Sequence, residues 1–144
     1  MKFLTIRSVL SILLSVLALA ALPAWAANPQ FGMVGLAASQ TLRLNVVAFP
    51  PDPCNAQIGF LNSNGAVPQP QPGKTVTLGP GEAAFLDLSA VALGVQFGQR
   101  AELQPVVTLL AAPNGFSACQ ASAEVFDSFS GRTWAILLPN PEPN

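Results

Sequence analysis

Apolar and polar residues alternate with a period of two along most of the chain after residue 40. In the segment 40–49, Leu42, Leu44 and Val46 fall on one side of an extended backbone, whereas Arg43 falls on the other. This alternation is typical of a half-buried β-strand, because successive side chains point to opposite faces of a sheet. The same pattern predicts further strands at 54–60, 74–78, 82–88, 100–110, 119–125 and 132–138.

Runs of glycine, proline and asparagine separate these segments. Because Gly79-Pro80-Gly81 is typical of a tight turn, we expect 74–78 and 82–88 to form a hairpin. The last two strands, 119–125 and 132–138, are expected to form a terminal hairpin.

Three other segments complete the strand pattern. Pro105 favours a sheet edge or a bulge at its position, since proline cannot donate a ladder hydrogen bond. The irregular segment 89–99 either holds one helical turn or crosses between sheets. With a short strand around 31–36 and no helix, about seven strands at this spacing predict a single antiparallel immunoglobulin-like β-sandwich.

The first 26 residues have a different pattern. Lys2 and Arg7 precede an apolar run over 9–22, and small alanines at positions 24 and 26 follow it. This order is typical of a signal peptide with cleavage after Ala26, and the run is shorter than the roughly 20 residues of a membrane span. We therefore expect a signal peptide at 1–26, a sandwich domain at 27–138 and a proline-rich tail at 139–144, with export to the periplasm or the exterior.

Charge narrows the choice of partners. Without 1–26 the chain keeps four of its six basic residues and all seven acidic ones, which gives a net charge of 4 − 7 = −3. Four scattered cations cannot neutralise a run of phosphates, so nucleic acid and anionic membranes are disfavoured as partners. Cleavage would also remove the only segment that suggests a membrane. The sequence gives no indication of the oligomeric state.

Two cysteines, Cys54 and Cys119, are present in a chain that we expect to be exported. Their even number and the lack of a CxxC spacing favour one structural disulfide, which would bridge the two sheets or two strand ends. A four-ligand metal site would need distant carboxylates, because the chain has no histidine. We expect no metal and no cofactor.

Catalytic equipment is sparse. The chain has no histidine and no tyrosine, which excludes Ser-His-Asp and Cys-His catalysis. Glu124 and Asp127 are close in sequence, but three residues apart on a strand they point to opposite faces. We therefore expect no enzymatic activity and no catalytic residue.

Four phenylalanines lie in or beside predicted turns: Phe49, Phe97, Phe116 and Phe129. They either plug the open ends of the sandwich or form an exposed aromatic patch for a protein or glycan partner. Two or more exposed rings at one end would favour binding.

The segments 40–47, 78–82 and 124–133 together resemble small exported, functionally uncharacterised bacterial proteins with immunoglobulin-like sandwiches. The resemblance is one of strand and turn pattern over most of 31–138. It implies a fold and carries no active site to this chain.

These observations predict a secreted, non-catalytic β-sandwich that acts in binding, adhesion or surface assembly. One alternative is a subunit of an extracellular filament, in which a loose arm at 27–31 or the tail at 139–144 reaches a neighbour. A second alternative is a secreted hydrolase inhibitor that inserts the proline-rich loop 49–53 into a cleft. In that case, changes at Pro51 or Asp52 would abolish inhibition.

Overall fold

Eight antiparallel β-strands make up the regular structure within the residues that the computed structural model describes, which are 28–69, 73–110 and 118–140. The strands are β1 (Val34–Ala37), β2 (Gln40–Ala48), β3 (Cys54–Asn62), β4 (Lys74–Leu78), β5 (Ala83–Ser89), β6 (Arg100–Leu109), β7 (Cys119–Asp127) and β8 (Thr133–Leu137). The prediction of an all-β antiparallel sandwich is confirmed, with eight strands instead of about seven. The predicted signal peptide at 1–26 lies outside the described residues.

Two four-stranded sheets form the layers of the sandwich. The front sheet has the order β5-β2-β7-β8, and the back sheet has the order β1-β6-β3-β4. Strand β2 pairs with β5 and strand β3 pairs with β6, as strands B and E and strands C and F do in an immunoglobulin domain. On its other side β2 pairs with β7, so a strand from late in the chain occupies the position that strand A has in immunoglobulins.

The hydrophobic core lies between the two sheets. Leu42, Leu44 and Val46 of β2 are at most 1% exposed, and they pack in one cluster with Ile58 and Phe60 of β3. The period of two that the sequence shows over these strands therefore corresponds to one buried face for each sheet.

The expected hairpin of 74–78 with 82–88 is wrong. Strand β4 pairs with β3 in the back sheet, and β5 pairs with β2 in the front sheet. The turn between them carries the chain from the back sheet to the front sheet. It is attached there by backbone hydrogen bonds of 2.9 Å that Gly81 and Glu82 make with Ala48, the last residue of β2. A turn between two alternating segments does not by itself determine whether they pair or change sheets.

The segment 89–99 crosses from the front sheet to the back sheet, which is one of the two structures expected for it. Strand β6, which follows, lies inside its sheet rather than at the edge. Pro105 nevertheless pairs with a strand on one side only. On that side its partner is β3, whereas the pairing of β1 with β6 covers only Arg100–Leu103. The expectation of an edge therefore holds locally and fails for the strand as a whole.

The arm that precedes β1 is docked on its own domain, in contrast to the loose arm expected at 27–31. Asn28 accepts a hydrogen bond from the amide of Leu109 at 2.7 Å through its side-chain oxygen, and Phe31 is only 3% exposed. Gln30 bridges both Val106 and Asn140, so the start of the tail is attached to the arm.

The terminal hairpin of β7 and β8 is confirmed. Strand β8 forms one edge of the front sheet, and it contains a bulge because the register shifts opposite Val125 and Phe126. Trp134 lies in this bulge and is 61% exposed, so it belongs to the surface and not to the core.

Candidate functional site

One end of the sandwich is built from three connections: 38–39, 90–99 and 128–132. We call this the loop end. It lies where β2 begins, since Gln40 pairs with Asp127 at the end of β7. The opposite end lies where β2 ends, about 30 Å away for a nine-residue strand, and it contains the disulfide. We call it the disulfide end.

A tight turn presents the ring of Phe97 at the loop end. The amide of Gln99 donates to the carbonyl of Gln96 at 2.9 Å, and the amide of Gln96 donates to the side chain of Gln99 at 3.2 Å. Gly98 has a φ of 82°, a conformation that glycine adopts without steric cost. Phe97 is 100% exposed, whereas Ala90, at the start of the same connection 90–99, is buried in the core.

A second turn presents Phe129 beside it. One carboxylate oxygen of Asp127 accepts hydrogen bonds from the amide of Phe129 at 3.1 Å and from the amide and hydroxyl of Ser130 at 2.7 and 2.9 Å. These donors, Ser130 first, favour the charged form and hold the pKa of Asp127 below its ordinary value. Phe129 is 88% exposed at the tip of this turn.

The turn that presents Phe129 is attached to the connection between β1 and β2, which passes from the back sheet to the front sheet. The amide of Ser128 donates to the carbonyl of Ser39 at 2.8 Å, and the hydroxyls of Ser128 and Thr41 lie 2.7 Å apart in a hydrogen bond. Phe97 and Phe129 line a common hollow of about 550 Å³. Val91, which is 69% exposed, lies on the same hollow.

The other two predicted aromatic residues do not belong to this site. Phe49 is 58% exposed and lies at the disulfide end, where its amide donates to the carbonyl of Ala118 at 2.9 Å. Phe116 lies outside the described residues. The structure thus brings Phe97 and Phe129 together, and it separates Phe49 from both.

Sequence reasoning missed Val91 and Arg100 as parts of the loop end. Val91 belongs to a segment without a clear period, and alternation indicates only that Arg100 begins a strand, which it does. A signal was present in the sequence, because Gly94 and Gly98 mark turns that bring their neighbours to the surface.

The disulfide prediction is confirmed. Cys54 and Cys119 are bonded at an S–S distance of 2.02 Å and a Cα–Cα distance of 5.0 Å. Each cysteine is the first residue of its strand, β3 in the back sheet and β7 in the front sheet, so the bond joins the two sheets.

The carboxylates considered for catalysis have structural contacts. Asp127 stabilises its turn, and Glu124 lies 4.0 Å from the guanidinium of Arg43 and accepts a hydrogen bond from Thr133 at 3.4 Å. In the described ranges, no group of three or more histidine, cysteine, aspartate or glutamate side chains could hold a metal ion. The same ranges contain no helix that is long and apolar enough to cross a membrane.

Comparison of the chain with protein families, with curated proteins and with solved structures found no match. The fold and the loop end by themselves define the class of this molecule. It is a disulfide-bridged β-sandwich with an exposed aromatic surface at one end.

Proposed function

We propose that this protein is a non-catalytic binding domain that recognises a partner protein through the hollow of its loop end. The observation that carries the proposal is the position of Phe97 and Phe129, two rings that are almost fully exposed on neighbouring turns of the same end. Isolated exposed apolar residues are common on protein surfaces, but a grouped set rimmed by polar residues is typical of interaction sites.

The energetics favour this use of the rings. Burying one phenylalanine side chain contributes about 1.5–3 kcal/mol, and aromatic residues are frequent among the residues that dominate protein interfaces. Both turns are closed by their own hydrogen bonds, so little further ordering is needed on binding.

A protein partner fits the hollow better than a glycan does. Its polar side chains are few, among them Ser39, Gln99 and Arg100, whereas Val91 adds an aliphatic surface that sugar hydroxyls would not favour. Arg100 supplies the one charged side chain that lines the hollow in the described part of the chain. We therefore propose that the partner offers an apolar projection with an acidic group at its rim.

The proposed setting is an oxidising compartment. The bond between Cys54 and Cys119 is of the kind that persists in secreted and periplasmic proteins, and this agrees with the signal peptide that we predict at 1–26. We propose export to the periplasm or the exterior as the location where the partner is met.

Affinity capture from the exported fraction of the producing cells tests the proposal. The baits are the unmodified protein, the double variant Phe97→Ser/Phe129→Ser, and the matched control Phe49→Ser, which removes an exposed ring from the disulfide end. We expect the unmodified bait and the control to retain the same protein, and the double variant to lose it. With the partner purified, calorimetry should give an affinity at least about tenfold lower for each ring removed.

Three outcomes would contradict the proposal. If the double variant still captures the partner, the loop end does not bind it. Loss of capture with Phe49→Ser, or with changes at Pro51 or Asp52, would instead favour the loop 49–53 and an inhibitor. Binding of the protein to a glycan through the same two rings would show that the partner class is wrong.

A further inference from the structure

The outward faces of the two sheets differ in character. Strands of the back sheet carry outward polar residues such as Gln57, Thr77 and Glu102, and none of the exposed large apolar residues lies on a described strand of that sheet. Phe85 and Ile136 of the front sheet are 54% and 70% exposed. Antiparallel sheets normally have one apolar face towards the core and one polar face towards solvent, so the front sheet departs from a rule that the back sheet follows.

Bulky apolar side chains border a groove on the outward face of the front sheet. Its volume is about 530 Å³. The floor includes Asn45 and Ser122, which are neighbours by register, and the walls include Phe85 on β5 and Leu138 directly after β8. Leu138 is 72% exposed.

The charges on this face are paired with one another. The guanidinium of Arg43 donates two hydrogen bonds of 2.7 Å to Asp87 and lies 4.0 Å from Glu124. The same guanidinium lies 4.4 Å from the ring centre of Phe85 and 5.1 Å from that of Phe126. Each of these three charges would therefore keep a partner when the face is covered, whereas an uncompensated buried charge is strongly destabilising.

We propose that the outward face of the front sheet binds a second copy of this chain in a closed twofold dimer, with the two sheets packed face to face. Four strands at about 4.8 Å spacing and five to nine residues in length span about 19 by 25 Å on average, and the corrugated surface of such a face approaches the roughly 800 Å² that each partner contributes to a standard interface.

Register makes this face complementary to itself. A twofold axis that runs along the strands between β2 and β7 places β2 of one copy over β7 of the other and preserves the level along the strands. Arg43 pairs by register with Glu124 of its own chain, so the axis brings Arg43 of each copy opposite Glu124 of the other. The same axis places β5 over β8, so that Phe85 lies at the level of Leu138 of the other copy, and Asp87 lies at the level of Ile136.

Analytical ultracentrifugation of the protein purified from the exported fraction of the producing cells, over about 1–100 μM, tests the proposal. We expect twice the monomer mass at the upper end of this range. The variant Leu138→Glu places an unpaired charge at the level of Phe85 of the other copy and should raise the dissociation constant at least about tenfold. The matched control Thr77→Glu places the same charge on the outward face of the back sheet and should leave the mass unchanged.

Folding and the loop end are controlled separately. Leu138 is 72% exposed directly after β8, so thermal unfolding of Leu138→Glu at low protein concentration should match that of the unmodified chain. The variant Phe97→Ser/Phe129→Ser should keep the dimer mass, because the loop end is independent of this face. A monomer at all concentrations, a dimer that persists in Leu138→Glu, or assemblies larger than a dimer would each overturn the proposal.

Discussion

Arg43 shows how one residue connects three strands. Its position on β2 places the guanidinium between Phe85 of β5 and Phe126 of β7, while Asp87 of β5 accepts its two shortest hydrogen bonds. These bonds raise the pKa of Arg43 above its ordinary value. The alternation of the sequence predicts that Arg43 points outward, but only the strand order β5-β2-β7 determines which side chains meet it there.

The substitution Arg43→Lys should lower the free energy of unfolding by about 1 kcal/mol, because lysine keeps the charge but cannot make the paired hydrogen bonds or stack flat on both rings. The pair is about one-third exposed, so solvent screening limits the effect. Urea denaturation at low protein concentration measures it. In a cycle with Asp87→Asn the two losses should not add, and full additivity would show that the pair contributes nothing.

The carboxylate of Asp127 predicts a pH dependence of stability. Its pKa is lowered in the folded protein, so its contribution is fully present above about pH 5 and is lost as the pH falls through the folded value, below the ordinary pKa of about 3.9. The melting temperature of Asp127→Asn should lie below that of the unmodified chain at neutral pH, and the two should converge as the pH falls below about 4 towards the folded pKa of Asp127. The control Asp52→Asn removes the same charge at the disulfide end, and an identical profile for both variants would contradict the assignment.

At the scale of elements, the connections between sheets hold the sandwich together. The turn 79–82 and the segment 89–99 each pass from one sheet to the other, and the disulfide joins the first residues of β3 and β7. The alternating pattern predicts the strands well because burial of one face requires it. It does not predict their partners, since the hydrogen bonds of a strand are the same whichever strand provides them.

Removal of the disulfide should destabilise the fold by roughly 4 kcal/mol, the value that chain entropy gives for a closed loop of this length. The separation of Cys54 and Cys119 is 65 residues. The double variant Cys54→Ala/Cys119→Ala should therefore unfold at a clearly lower urea concentration. Reductant should shift the midpoint of the unmodified chain towards that of the variant and leave the variant unchanged. A midpoint that does not respond to reductant would show that the bond adds little.

Gly73, which directly precedes β4, lies against the backbone of β3. A Cβ added at Gly73 would lie 2.9 Å from the carbonyl oxygen of Ile58, so Gly73→Ala requires a backbone shift and should cost about 1–3 kcal/mol. The matched control is Gly32→Ala, where an added Cβ meets no atom within 4 Å. Urea denaturation should separate the two variants, and equal midpoints would contradict the close approach.

At the scale of the whole molecule, the two proposed binding surfaces lie on different parts of the sandwich. The loop end projects from the turns, whereas the outward face of the front sheet belongs to the strands. Because the core between the sheets involves neither surface, changes at the loop end should be separable from changes in stability.

The double variant Phe97→Ser/Phe129→Ser should keep the free energy of unfolding within about 0.5 kcal/mol of the unmodified chain, since surface substitutions away from core, caps and charges have small effects. The rings are 100% and 88% exposed. Phe60→Ser, which changes a core ring that is 1% exposed, serves as the contrast and should destabilise the fold severely. A large loss in the double variant would show that the rings support the loops instead of a partner.

The sequence by itself determined the class of fold, the buried faces of the strands and the pairing of Cys54 with Cys119, because each follows from local alternation or from a count of residue types. Only the tertiary structure decided that β5 leaves β4 to pair with β2, and that Phe97 and Phe129 share one end while Phe49 lies at the other. The reason is physical: alternation records whether a side chain is buried, whereas strand partners and loop neighbours depend on contacts between residues that are far apart in the chain.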